Sequence, residues 1–218
     1  YGFGDYMDEL VKLWDDALID ASKSGRSQQK IFSDSRAYSL RQFEDGRRYV
    51  DVQTDQKAFD NLSDLDKTKK ATEIIKRRFA GNVIGLDNKV FVNGRTAAEY
   101  GHPVKNISSE VRDAKMRASA ELDNIIDAGT NFRTSSDGAD GHTHPDVIGG
   151  FEYFDTIFKV GQDYYCGVVN VERIAKGRRL KDVTKIRNIT QDIYSSYGSN
   201  PKSIFLRDTS VNSIRTSE

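Results

Sequence analysis

The sequence predicts an α+β fold, with N-terminal helices packed on a C-terminal antiparallel sheet of roughly four strands. Three observations carry that expectation. Apolar residues recur at helical spacing in stretches before residue 130. Past residue 150 the pattern changes to that of strands, and "VGQD" marks a hairpin between two of them. Helices therefore come first and hairpin-linked strands follow, which is the order of an antiparallel α+β domain.

The elements are read in order. Residues 5–22 place Met7, Leu10, Val11, Trp14, Leu18 and Ile19 on one helical stripe. "SKSGRSQQKIFSDSR" is polar and reads as a linker. "RRYVDVQTD" reads as a short strand. Residues 64–78 form a helix whose inner face is Leu65, Thr68, Ala71, Ile74 and Ile75. Its basic end, Lys76, Arg77 and Arg78, suits the helix dipole without any ligand. "DNKVFVNG" is a turn and a short strand. "TAAEYGHP" follows, where Pro103 breaks any helix. Residues 110–126 are the clearest helix, with Val111, Ala114, Ala118, Leu122, Ile125 and Ile126 in one sector and Gly129 as its stop.

Residues 130–150 are polar and expected to be a loop. "FEYFDTIFKVGQDYYCGVVNVERI" gives the hairpin, and "RRLKDVTKIRNI" a third strand running into a helical turn. The expected division is an N-terminal helix and linker over 1–47, a main domain over 48–194 and a tail over 195–218. The chain starts "YGFGDY", without methionine, as a piece of a longer protein would.

Composition narrows the function classes. The 218 residues are 37% hydrophobic and 30% charged, with 33 basic residues balancing 33 acidic ones. Zero net charge does not suit a uniformly basic nucleic-acid binder, so any such role must rest on local charge. The single cysteine, Cys166 in "YYCGVV", excludes a disulfide framework and reads as a strand residue. No apolar run approaches the roughly 18 residues of a membrane span, and no secretory leader is evident.

All three histidines sit beside Pro or Gly, in "YGHP" and "GHTHP". Histidine in such loops suits proton transfer near neutral pH. A zinc site would need His102, His142 and His144 with Asp137 or Asp140, but neither HExxH nor a cysteine pattern supports it. No metal and no cofactor are expected. On the 110–126 helix, Lys115, Ser119 and Asp123 form a polar row bordering the apolar stripe, flanked by Arg112. That row either snorkels to solvent or lines a cleft, where Lys115 would bind an anion. Arg117 points away from it.

Residues 172–187 hold seven basic residues against two acidic ones, Glu172 and Asp182. Strand alternation would put Lys181, Val183 and Lys185 on one face and Asp182, Thr184 and Ile186 on the other. Such a basic hairpin fits phosphate-backbone binding, as well as a plain solubilising edge. Arg95 in "VNGR" suits a turn that presents a guanidinium to phosphate.

Four separated motifs, "FVNGRTAAEYGHP", "AKMRASAELDNII", "HPDVIGGFEYFDTIFKVG" and "KDVTKIRN", occur in the order seen in a family of phage and mobile-element domains. Residues 48–190 resemble the large polyvalent protein-associated domain of the third type. The resemblance implies a fold similar to the barnase/EndoU/colicin/RelE-like nucleases and a toxin that cleaves RNA without a metal. It implies His102, Lys115, Ser119, His144 and Thr184 as catalytic residues, with Arg95 and Arg117 as further candidates. Family loops tend to read "GRHP" where this chain has "GHTHP", so His144 matches and His142 does not.

The expected function is therefore a metal-independent ribonuclease toxin domain. Its phosphate contacts would come from Arg95, Arg112, Arg117, Lys181 and Lys185. Its expected partners are RNA, with tRNA among the candidates, and a cognate immunity protein. It would act in the cytoplasm of a target cell, delivered within a larger phage or secreted protein. The alternative, from another class, is a non-catalytic module of a phage-related protein that binds nucleic acid or a partner.

Overall fold

The computed structural model describes residues 39–102, 107–136, 145–199 and 203–205, the last three by their backbone alone. The stretch 5–22, the loop carrying His142 and His144, and Asp137 and Asp140 lie outside the described residues. All the elements below belong to the unit Ser39–Leu206.

The strands are β1 (Leu40–Phe43), β2 (Arg48–Asp51), β3 (Val83–Ile84), β4 (Val90–Phe91), β5 (Thr130–Ser135), β6 (Val147–Val160), β7 (Asp163–Ile174), β8 (Gly177–Asn188) and β9 (Ser203–Phe205). The helices are α1 (Asp64–Arg78), α2 (Gly94–Gly101), α3 (Ser109–Ala118), α4 (Leu122–Asp127) and α5 (Thr190–Tyr197), with 3-10 turns at Gln56–Phe59 and Ser119–Glu121.

The expected four-stranded antiparallel sheet on N-terminal helices is not what forms. The strands make one nine-stranded mixed sheet in the order β3-β4-β8-β7-β6-β2-β1-β9, with β5 also on β6, and it curls into a half-barrel. Two pairings are parallel, β2 with β6 and β4 with β8. The physical reason is that strands of two to four residues carry no periodic signal, and parallel neighbours are far apart in sequence. Long β6, β7 and β8 show alternation, and Gly161 at φ 62° closes the β6–β7 hairpin within "VGQD" as expected. The polar stretch 130–150 holds β5 and the start of β6, and β9 falls in the segment expected to be a tail.

Helix ends follow the local chemistry. Ser63 caps α1 by accepting the Asp66 N–H at 3.2 Å, and Ala71, Ile74 and Ile75 fill the core below it. Asn93 and Thr96 form a reciprocal capping box at the start of α2. "VNGR" is thus a helix start and not the turn expected for Arg95. Thr96 Oγ1 donates to the Leu180 carbonyl at 2.6 Å, fastening α2 to β8. The expected continuous helix 110–126 is interrupted by the 3-10 turn Ser119–Glu121. That turn delivers buried Glu121 to the β1–β2 hairpin, where it accepts from Ser39 Oγ at 3.1 Å and Thr54 N–H at 3.2 Å.

The main core lies between the sheet and helices α1 to α4. It includes Val50, Ile74, Tyr100, Leu122, Ile125, Phe154, Val169, Val171 and Val183. The opposite face carries a smaller cluster of Phe43, Tyr49, Tyr164, Ile189 and Ile193 under α5. Neighbouring Tyr49 and Val50 belong to different clusters, as alternation along a strand requires. Among the described residues no helix is long and apolar enough to cross a membrane.

Candidate functional site

Beyond Leu180 the register of β8 breaks twice. Asn170 pairs with Asp182 but Val171 pairs with Leu180, so Lys181 is an inserted residue. Cys166 pairs with Arg187 and Val168 with Thr184, so Gly167 faces both Lys185 and Ile186. Lys185 takes the left-handed conformation, φ 50°. A methyl group on Gly167 would sit 3.1 Å from Val183 Cγ1, so glycine makes room for this second bulge. The bulges cancel the simple alternation expected for residues 181–186: Lys181, Asp182, Val183, Thr184, Lys185 and Ile186 all line one cleft.

This cleft has a volume of about 340 Å³ and is completed by Glu99, Ile107, Lys115, Phe151, Tyr153 and Asn170. Tyr153, Asn170 and Asp182 are cross-strand partners on β6, β7 and β8, so their side chains stand in one row on one face of the sheet. Asn170 Nδ2 donates to Thr184 Oγ1 at 2.9 Å, which orients the hydroxyl.

Lys115 comes to the cleft from α3 and is 1% exposed. Its Nζ meets both carboxylate oxygens of Asp182, at 2.9 and 3.0 Å. The ammonium also lies 4.8 Å from the centroid of the Tyr100 ring. The Tyr100 hydroxyl donates to the Lys115 carbonyl at 2.6 Å and is pushed well above its usual pKa by burial. Burial also pushes the Asp182 carboxyl up, while Lys115 and the Val183 N–H pull it down; burial prevails. Lys115 is therefore a paired cation, and its charge reaches a ligand only after subtraction of Asp182. An acid whose ionised form is disfavoured can hold or give a proton closer to neutral pH than a free aspartate.

The structure brings together Lys115, Thr184, Lys181 and Lys185 of the residues expected to act. Of the other expected residues that are described, His102, Ser119, Arg95, Arg112 and Arg117 do not line the cleft; His144 lies outside the described residues. His102 is exposed at the C-cap of α2, three residues beyond Glu99, whose carbonyl accepts its N–H at 3.0 Å. Ser119 is fully buried in the 3-10 turn after α3, and its hydroxyl finds no hydrogen-bond partner among the described residues. Each expected phosphate-binding arginine is held by carboxylates: Arg95 by Asp146 at 3.2 Å, Arg112 by Asp64 at 3.2 Å, and Arg117 by Asp113 at 2.8 Å and Asp60 at 3.0 Å. Asp146 also binds Arg179, and that hydrogen bond holds its carboxyl below the ordinary aspartate range.

Sequence reading did not assign Glu99, Tyr153, Asn170 or Asp182 to the site. Only the cross-strand register unites Tyr153, Asn170 and Asp182, and nothing local in sequence encodes that register. Among the described residues, no group of three or more His, Cys, Asp or Glu side chains is placed to hold a metal ion. Cys166 is half-buried on β7, and burial raises its thiol pKa. It lines a second cavity of about 520 Å³, on which Lys185 and Arg187 also border.

No family model matches the chain, and no curated protein and no solved structure matches it either.

Proposed function

We propose that the cleft binds RNA and cleaves it by attack of a ribose 2′-OH on the adjacent phosphate. The observation that carries this reading is the convergence of Lys115, Lys181, Thr184 and Lys185, from two distant sequence segments, on one cavity wall. A base removes the 2′-OH proton, the 2′ oxygen bonds to phosphorus, and the bond to the 5′ oxygen breaks. An acid protonates that leaving oxygen, giving a 2′,3′-cyclic phosphate and a free 5′-OH. Lys181, Lys185 and the Thr184 hydroxyl contact the phosphoryl oxygens, where negative charge grows in the transition state.

The acid–base pair proposed from the sequence is His102 and His144; His102 stands at the end of α2, outside the cleft's lining, and His144 lies outside the described residues. Within the cleft, Asp182 is a carboxyl group whose burial favours its protonated form. The domain's proposed setting is a toxin acting on RNA in a target cell, with an immunity protein as its partner.

The test is incubation of the full chain with total RNA and with tRNA in the presence of EDTA. Cleavage leaving cyclic phosphate ends is expected, slowed about 100-fold or more by His102→Ala, and slowed also by Lys181→Ala. Intact RNA with folded protein overturns the reading. The position of His102, outside the cleft's lining, favours a second reading, a module that binds without cleaving. It predicts RNA retention on the protein, intact RNA and no effect of His102→Ala.

A further inference from the structure

We infer that the cleft is a single-nucleotide subsite, in which an aromatic base lies against Tyr153 and the apolar wall while its phosphate meets Lys181 and Lys185. This rests on the proposed RNA-binding role of the same cleft and names what part of the RNA it grips. A site for a bare phosphate needs cations and N–H donors but no apolar wall. Here Ile107, Phe151, Val183 and Ile186 line the cavity alongside the polar groups. A ligand that satisfies both must be flat and apolar on its faces, polar on its edges and anionic at one end.

The volume of about 340 Å³ lies at the small end of the roughly 300–1,000 Å³ range for small-molecule sites. It is enough for one nucleotide. Phe151 and Tyr153 are a stacked pair, with ring centroids 6.4 Å apart and planes 24° apart. Phe151 is fully buried and Lys181 Nζ lies 5.6 Å from its centroid, so its ring is the base of the wall. Tyr153 is half-buried and stands next to Asn170 in the ladder row. An aromatic ring beside an amide is the usual means of gripping an unpaired base, by stacking on its face and hydrogen bonding to its edge. One Asn170 N–H is committed to Thr184, which fixes the amide's orientation and aims its remaining polar atoms. The subsite therefore selects single-stranded RNA.

The experiment titrates the full chain, by calorimetry, with the four ribonucleoside 5′-monophosphates, with ribose 5-phosphate and with inorganic phosphate. At least one nucleotide should bind ten times or more tighter than either baseless phosphate. Tyr153→Leu, which keeps bulk but removes the ring, should weaken nucleotide binding about tenfold, the scale of one base–aromatic stack. Unchanged thermal melting of that variant and unchanged phosphate affinity make the loss specific; Tyr153→Phe should restore binding. Equal affinity for nucleotide and phosphate, absence of nucleotide binding, or no effect of Tyr153→Leu overturns the subsite. Nucleotide binding with intact RNA keeps the subsite and overturns only cleavage. RNA cleavage without nucleotide preference overturns only the subsite.

Discussion

Lys115 and Asp182 bring two charges out of water to the wall of a cleft, at 1% and 8% exposure. Their mutual attraction offsets the desolvation that each suffers, and little stability remains as net gain. Removing one partner is another matter. In Asp182→Asn the ammonium stays buried beside Tyr100 with no counter-ion, a loss of about 3–5 kcal/mol. Lys115→Met costs less at low pH, because the stranded carboxyl can take a proton. Its folded pKa is raised above the unfolded value of about 3.9, so its stabilising contribution is full below that value and lost as pH rises through the folded pKa. Urea melts should thus show the gap between wild type and Lys115→Met widening from pH 5 to pH 8. The double change Lys115→Met/Asp182→Leu should regain most of the stability lost in either single variant while abolishing cleavage. A gap that is flat with pH would mean that Asp182 keeps its proton-free form by some other contact.

At the scale of elements, the parts legible in sequence are those whose signal is local. The hairpin at "VGQD", the β8 strand and α1 have long periodic patterns, and capping residues mark where α1 begins. The register between strands is not local, and the bulges on β8 overrode the face assignment made from alternation. This is why Lys181 and Lys185 could be named from local charge, and Thr184 only from the family resemblance, while Asn170 and Tyr153 could not be named at all. The helix break at Ser119–Glu121 escaped notice because apolar spacing continues across it. The second bulge holds Lys185 at φ 50°, a conformation that costs a non-glycine residue about 1 kcal/mol. Lys185→Gly should therefore leave thermal stability equal or higher, since the backbone strain is relieved where no core contact is lost. The same change should weaken RNA binding, because a cation of the cleft is gone. Opposite movements of melting temperature and RNA affinity are the expected signature; a fall in both would assign Lys185 a packing role.

The unit Ser39–Leu206 is closed by a seam that the order of its elements does not suggest. The β1–β2 hairpin adds to β6 through the parallel pairing of Val50 with Phe158, and short parallel contacts of this kind are weak by themselves. Glu121 secures it from the helical layer. Its carboxylate accepts from Ser39 before the hairpin, from the Thr54 N–H and hydroxyl after it, and from Asn124 Nδ2 at 2.7 Å. One side chain thus joins both ends of the hairpin to the turn between α3 and α4. Hydrogen bonds to a buried carboxylate are the strong kind, and their loss leaves the donors of Ser39 and Thr54 without an acceptor. Glu121→Ala should cost about 3 kcal/mol, and the loss should be uneven across the sheet. The Asp51 N–H, bonded to the Ser39 carbonyl at 2.7 Å, and the Val52 N–H, bonded to the Lys159 carbonyl at 2.9 Å, report the seam directly. Hydrogen exchange at these two amides should accelerate far more than at the β6–β7 amides, since the hairpin would open before the sheet unfolds. Glu121→Gln should lie between, because the amide keeps one acceptor oxygen but turns a donor toward other donors. Uniform acceleration at all strands would mean that the hairpin and the central sheet open as one unit and that Glu121 does not hold a separate seam.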